Sequence, residues 1–364
     1  MRRVGVVGDG LSGLIAGLAA ASSDSEVIIF GRSEPIGGLA SPVDSDVEWL
    51  FDRIPLFWRR GGKLDILLRR LKVPIRTRRV PPGRMAVVRD DCRYSLPKKS
   101  SFFRKSRGAL SAEWPSLIQA ARKGDLTQID GIQKDAATLL SILWNFNTTP
   151  DPEAVLNLVW KQSARVAIDG WAGVSGRLIA ACMQTDVTFL MGGPVTGFRR
   201  RDDGMVDGIK RKGKVLPVDA VIRACTRAPP HSQRLHGRYL GLEGNFLLPH
   251  VVLWDADREV LLVDLGELMP ERVPERVPEI IPGHYQRSWS SLFHCIAFGD
   301  SSTAAERIEG LLDSQCSGWR GAITVDYSLN NLKTPSIPEI EFMNGVHYAH
   351  VDNAFEIGKR ASQP

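Results

Sequence analysis

The stretch Gly8-Asp9-Gly10-Leu11-Ser12-Gly13, set between an apolar run at 4–7 and a run of small apolar residues at 11–21, constrains this chain most. Each glycine has a physical reason: Gly8 permits a tight turn, Gly10 a close backbone approach to a pyrophosphate, and Gly13 close packing of helix on strand. The helix that follows aims its free N–H groups and the positive end of its dipole at the same point, which attracts phosphate. A second apolar run, 26–30, stands at the right distance for a second strand. Its Val27-Ile28-Ile29-Phe30 core is apolar on both faces, as in a parallel sheet covered by helices. Residues 1 to 40 are therefore predicted to form a dinucleotide-binding βαβ unit, with Gly8, Gly10, Leu11, Ser12 and Gly13 against the ligand. One place departs from the pattern. The acid that ends the second strand and receives the adenosine ribose hydroxyls is replaced by Gly31, followed by Arg32. An arginine there suits a 2′-phosphate, which brings in NADP as an alternative ligand; an Arg32 that is solvated or stacked on adenine is the other reading.

A chain of 364 residues is longer than one hydrophobic core usually serves, so two domains are expected. After the nucleotide unit, 63–71 reads as an amphipathic helix with Leu64, Leu67, Leu68 and Leu71 on one face. Helical patterns recur at 113–123, 134–144 and 152–165, the last announced by Pro150 and Pro152. The pattern then turns to short strands at 195–200, 205–210, 214–218 and 220–222, separated by Asp203-Gly204 and Lys212-Gly213, which predicts a β-meander. Another strand is expected at 260–263. The tandem repeat Arg-Val-Pro-Glu at 272–279 reads as an extended loop or edge segment, because proline cannot serve a central strand. The end of the chain, 345–361, reads as strand, turn and helix.

The net charge of +6 and a pI near 9.1 come from basic clusters at 59–60, 69–79, 98–107 and 199–214. No zinc-finger spacing, RNA-binding aromatic signature or heptad array accompanies them, so no nucleic-acid partner is expected. Peripheral contact with an anionic membrane remains compatible with that charge. Apolar runs such as 14–21 are too short to span a bilayer, and a cytoplasmic protein is expected. The cysteines, Cys92, Cys182, Cys225, Cys295 and Cys316, lack metal or redox spacing and read as buried thiols. No metal-ligand cluster or Ser-His-Asp ordering is present; His347 and His350 stand nearest the presumed cofactor. Catalytic residues stay unassigned. Trp144, Trp160, Trp171, Trp289, Phe102, Phe103 and Phe146 read either as core or as the lining of an apolar ligand site.

Five stretches together resemble the FAD-dependent amine oxidase and phytoene desaturase superfamily, which also holds protoporphyrinogen oxidases and UDP-galactopyranose mutases. They are the glycine turn with Leu14, Ala16 and Ala19; Ile36-Gly37-Gly38-Leu39-Ala40-Ser41; Phe51-Asp52-Arg53-Ile54-Pro55 followed by the helix 64–71; Gly170-Trp171-Ala172-Gly173-Val174-Ser175-Gly176-Arg177-Leu178; and Gly345-Val346-His347-Tyr348-Ala349 with the final helix. The resemblance implies that Gly37, Gly38 and Leu39 lie against the flavin nucleotide, that Val195 touches adenine through its backbone, and that the last helix approaches the flavin. Asp352 stands where the superfamily's Gly-Asp pair would be, serving the ribityl or pyrophosphate side or capping the last helix. The fold implied is α/β: a Rossmann-like FAD-binding domain, with a parallel sheet and β-meander, interleaved with a smaller α+β substrate domain. The expected segments are 1–84, 166–239 and 341–364 for the FAD-binding domain, and 85–165 and 240–340 for the substrate domain. The activity implied is FAD-dependent hydride transfer from a small hydrophobic or amine substrate. A non-catalytic dinucleotide- or lipid-binding protein, like the Rab GDP-dissociation inhibitors on the same architecture, is the alternative.

Overall fold

In the computed structural model the residues described are 1–32, 34–41, 52–53, 57–59, 63–80, 82–97, 109–145, 148–158, 164–224, 234–244, 246, 248–270, 290–333, 342–343, 346–349 and 353–363. From the N-terminus the chain runs through β1 (Arg2–Val7), α1 (Leu11–Ala21), β2 (Ser25–Phe30), β3 (Trp58–Arg59), α2 (Lys63–Arg70), β4 (Thr77–Arg79), β5 (Met85–Arg89) and β6 (Cys92–Ser95). Helices α3 (Ala109–Lys123), α4 (Gly131–Asn145) and α5 (Pro152–Leu156) follow. Next come β7 (Ala164–Ala167), α6 (Gly170–Met183), β8 (Val187–Leu190), β9 (Val195–Arg200), β10 (Val206–Arg211) and β11 (Lys214–Pro217). The remainder is β12 (Ala220–Arg223), β13 (Arg234–Glu243), β14 (Val252–Asp255), β15 (Val260–Asp264), α7 (Leu265–Leu268), β16 (Ser290–Phe298), α8 (Ala304–Gln315), β17 (Ile323–Lys333), β18 (Phe342–Met343), β19 (Val346–Tyr348) and α9 (Ala354–Ser362).

Strands β18-β19-β12-β1-β2-β8 form one sheet in that order, parallel throughout except for β18. The chain leaves β1 toward β2 on one side and later adds β12 on the other, so strand order reverses at β1. In such sheets the crevice beyond the strand ends at the reversal is where ligands bind. One face of the sheet buries Val4, Val6 and Ile29 against Leu14, Ile15 and Phe355 of α1 and α9. The other buries Val7, Ile28 and Val221 against Val206, Ile209 and Val218, which belong to the meander β9–β11 and the residue after it. Helices α1 and α9 touch closely at Gly358, where an added Cβ would stand 2.3 Å from the Ala16 carbonyl oxygen.

The second sheet runs β17-β13-β16-β15-β14-β5-β6. Helices α3, α4 and α5 share a core with one face through Trp114, Leu117, Leu140 and Trp144, beside Tyr239 and Trp254. Helix α8 covers the other face through Leu311 and Leu312, with Phe293 and Trp319. Covering on both faces explains why β15 is buried at every position, Val260 to Asp264.

Several expectations shift here. Residues 164–165, expected at the end of a helix begun at 152, open β7 instead, and α5 stops at Leu156. Strand β7 is claimed by antiparallel partners β3 and β4, a long-range pairing that local propensity does not show. The stretch after residue 85 begins not with helix but with β5 and β6, because β5 finds a parallel partner in the distant β14. Strand β13 pairs over its length with β16 and β17, so the division expected at 239/240 falls inside one strand. Cys182, Cys295 and Cys316 are buried as expected, whereas Cys92, on the outer strand β6, is exposed. The 272–279 repeat, Cys225, Trp160, Trp289, Phe102, Phe103 and Phe146 lie outside the described residues.

Candidate nucleotide-binding site

Strand β1 ends in the glycine turn at the sheet's switch point. The Gly8 N–H donates to the Phe30 carbonyl at 2.9 Å, tying the turn to the end of β2. Gly8 has a φ of 117°, a left-handed backbone that favours glycine. At Gly13 an added Cβ would stand 1.8 Å from the Gly8 carbonyl oxygen, so no other residue lets α1 start so close to β1. The first helical hydrogen bond runs from Leu14 N–H to Gly10 O at 3.0 Å. The N–H groups of Leu11, Ser12 and Gly13 precede it and face outward from the helix start, as an anion site requires.

The second glycine pair comes to the same spot. Gly37 N–H donates to the Asp9 carbonyl at 3.1 Å, and Gly10 and Gly37 form an isolated parallel bridge. Gly37 and Gly38 take φ values of 124° and 59°, and an added Cβ on Gly38 would lie 3.2 Å from Gly10 Cα. Leu39 sits half-buried in the short turn Gly38–Ala40, whose Ala40 carbonyl accepts from the Ser175 hydroxyl of α6 at 2.9 Å. Three segments that carry the resemblance are thereby fastened together: the first glycine turn, the second, and α6.

Asp52 supplies the fourth link, and its partners carry no local sequence sign. Only 3% exposed, its carboxylate accepts the Trp171 N–H at 2.8 Å and the Ala172 N–H at 3.4 Å, in the first turn of α6. The Asp52 N–H donates to the Tyr239 hydroxyl oxygen at 2.9 Å, and that hydroxyl donates to the Asp52 carbonyl. Tyr239 is fully buried on β13 and stacks on His294 of β16 at 3.9 Å between ring centroids. One aspartate so joins the start of α6 to the second sheet.

At the end of β2 the Arg32 side chain is exposed, and its carbonyl accepts the Gly193 N–H at 2.9 Å. Val195 opens β9, half-buried, opposite Arg211. The Arg211 guanidinium donates to the carbonyls of Met191 and Gly193, pinning the loop between β8 and β9. Sequence reasoning missed Arg211 and Met191, because nothing local marks a loop clamp. It also missed Asp9, whose carboxyl is half-buried; burial raises it above the ordinary carboxylate range, against the lowering pull of the N–H groups of Asp9 and Gly37.

His347 lies on β19, half-buried, and burial lowers it from the usual imidazole range with Arg2 and Arg360 adding to the effect. Asp352 and His350 fall outside the described residues. Trp144 belongs to the core under α4, and Trp171 to the core of the nucleotide unit. A cavity of about 340 Å³ whose lining includes Asp65, Leu68, Arg69, Thr77 and Arg165 involves no residue of the glycine motifs. Among the described residues no group of three His, Cys, Asp or Glu side chains could hold a metal, and no helix is long and apolar enough to cross a membrane. Part of the basic character is neutralised locally, as in Arg69–Asp65, Arg76–Asp169 and Arg199–Asp207.

No protein-family profile matches the sequence, and no curated protein matches it. Solved structures do. An oxidoreductase from Methanosarcina mazei, 15% identical, superposes with a TM-score of 0.68 over 95% of this chain and 94% of its own. Putrescine oxidase, solved with putrescine bound, gives 0.67 at 15% identity over 99% and 98% of the two chains. The fold is that of the amine oxidase-type flavoproteins. A Rab GDI from Plasmodium falciparum shares it, with a TM-score of 0.59 at 14% identity over 99% and 96%. The glycine turn and Gly37 face each other at the switch point of the sheet in this fold. The bare backbone there, with no Cβ on Gly10, Gly37 or Gly38, fits a dinucleotide.

Proposed function

We propose that this chain is an FAD-dependent oxidoreductase that removes hydride from a small hydrophobic or amine substrate. The observation that carries the reading is the Gly10–Gly37 bridge. It sets two side-chain-free backbone segments side by side at the start of α1, where a pyrophosphate needs N–H groups and close approach. When bound, FAD supplies the hydride acceptor, and the protein's part is to bind, orient and exclude water. Leu11, Ser12 and Gly13 offer N–H groups to the phosphates, Gly37, Gly38 and Leu39 flank the nucleotide, and Val195 offers backbone to adenine. The seven-stranded sheet, joined to the start of α6 through Asp52 and Tyr239, belongs to the substrate side in this reading.

The likeness to a Rab GDI supports a second reading, a non-catalytic protein that binds a lipid or a dinucleotide on this fold. The exposed Arg32 beside Gly31 supports a third, in which NADP is the dinucleotide. Purification and reconstitution decide among them. The oxidoreductase reading expects a yellow protein, or a colourless one that takes up added FAD and is bleached anaerobically by an amine or apolar donor. Protein that rejects FAD overturns that reading, and retention of NADP alone supports the Arg32 one. A cytoplasmic enzyme whose basic surface meets anionic membrane is the proposed setting, checked by co-sedimentation with vesicles containing phosphatidylserine.

A further inference from the structure

We propose that Asp9 takes over the contact that Gly31 lost: its carboxylate accepts the 2′- and 3′-hydroxyls of the dinucleotide's adenosine ribose. This rests on the reading of the crevice as an FAD site.

Strands β1 and β2 run parallel with Val7 beside Phe30, and the Gly8 N–H is bonded to the Phe30 carbonyl. The turn after β1 therefore lies against the end of β2, where the ribose acid is missing. A Cβ built on Gly31 would stand 3.1 Å from Asp9 Cγ. A glutamate at 31 would hold its own carboxyl carbon about 2.5 Å from that Cβ, two C–C bonds of about 1.52 Å each. Asp9 thus brings a carboxyl carbon to nearly the same separation from the turn after β1.

The space a longer acid would cross is also taken. The same Cβ would meet Met191 Cε at 2.1 Å and Sδ at 2.5 Å, so the thioether lies over Gly31. Met191 is held there by its neighbours: the Gly31 N–H donates to the Leu190 carbonyl at 3.1 Å, and Arg211 binds the Met191 carbonyl. Gly31, Met191 and Asp9 form one arrangement, in which the acid stands on the turn after β1 and methionine fills the space over Gly31.

Asp9 is also suited to the task by what surrounds it. It is half-buried, and among the described residues it has no ion-pair partner. A partly desolvated carboxyl in that position gains from two hydroxyl donors. The same charge would repel a 2′-phosphate, so the assignment also selects FAD over NADP in spite of Arg32.

Equilibrium binding tests this, with FAD followed by flavin fluorescence and ADP against 2′-deoxy-ADP by calorimetry. The wild type should bind FAD and prefer ADP to its deoxy analogue. Asp9→Asn should weaken FAD roughly 10-fold to 100-fold and narrow the preference for the 2′-hydroxyl, as loss of a charged acceptor does. The combination Asp9→Gly, Gly31→Glu and Met191→Ala, which returns the acid to β2, should recover most of the affinity. Asp9→Asn binding FAD within twofold of wild type, with the ribose preference intact, overturns the assignment and leaves the FAD reading standing. Wild-type protein that rejects FAD but shows a ribose preference abolished by Asp9→Asn supports the assignment and overturns the flavin reading. Wild-type protein that takes up neither FAD nor ADP overturns both. The comparison of ADP with its deoxy analogue on wild type needs no variant to fold.

Discussion

Asp52 offers a measurable check on how the nucleotide unit and the second sheet are joined. Its carboxylate replaces a local cap on α6: Asp169, the residue before that helix, makes no capping bond with its own side chain. Removing the acceptor with Asp52→Ala leaves the Trp171 N–H, bonded at 2.8 Å, and the Ala172 N–H, at 3.4 Å, without it in a buried place. A hydrogen bond to a charged group contributes about 1.5–3 kcal/mol, and an orphaned buried donor costs about 1–3 kcal/mol. The expected loss is therefore about 3 kcal/mol. Asp52→Asn keeps an oxygen in the same position and loses only the favourable charge at a helix N-terminus, about 1 kcal/mol. Tyr239→Phe spares the carboxylate but removes the hydroxyl that serves the Asp52 N–H and carbonyl, which should cost about 1–2 kcal/mol. Urea unfolding followed by tryptophan fluorescence reads all three. The order Ala worst, with Asn and Phe milder, is the expected result. An Asp52→Ala protein within about 0.5 kcal/mol of wild type, the range of an unremarkable surface change, would refute the capping role. An Asn variant as damaged as the Ala one would show that the oxygen is not what matters.

Three further changes test the packing and the burial at other positions. Gly13→Ala places a methyl 1.8 Å from the Gly8 carbonyl, so FAD uptake in a fluorescence titration should be lost; undiminished uptake would mean α1 starts elsewhere. Gly358→Ala meets the backbone of Ala16 at 2.3 Å and the Ala19 Cβ at 2.9 Å, and should lower stability to urea by about 1–3 kcal/mol as overpacking does, an effect absent if α9 is not seated on α1. Asp264 is buried and pushed up to about 6 by desolvation, so its folded form holds a proton that the unfolded chain releases near pH 4. The stability it confers is present below pH 4 and lost as pH rises toward and through 6. Asp264→Asn should therefore gain on wild type between pH 4 and pH 7 by on the order of 2 kcal/mol, at about 1.4 kcal/mol per unit. Parallel urea curves at the two pH values read it, and a pH-independent difference between the two proteins would contradict the assignment.

The features legible in the chain were those written in neighbouring residues. The turn at Gly8 to Gly13, the apolar strand 26–30, the amphipathic pattern 63–71 and three strands of the meander with its Asp-Gly and Lys-Gly turns appear in place, within a residue or two at their ends. The fourth expected meander strand, 220–222, is instead β12 and joins the parallel sheet beside β1. The second sheet was mostly illegible. Strands such as β13 and β16 are covered on both sides, so they lack the alternation that marks a half-buried strand, and β5 pairs with a strand far along the chain. The candidate site divides in the same way. Gly8, Gly10, Gly13, Gly37 and Gly38 announced themselves by spacing, whereas Arg211, Met191 and the partners of Asp52 had no local sign.

The sequence by itself determined that a glycine turn begins α1 and that a second glycine pair follows, because steric freedom and helix-end polarity are properties of a few adjacent residues. Tertiary structure alone decided that these two turns touch, that Asp52 caps a helix 118 residues beyond it, and that Asp9 reaches the place Gly31 left bare. Those outcomes depend on which strands pair and in what register, and on the packing that carries distant segments together through space.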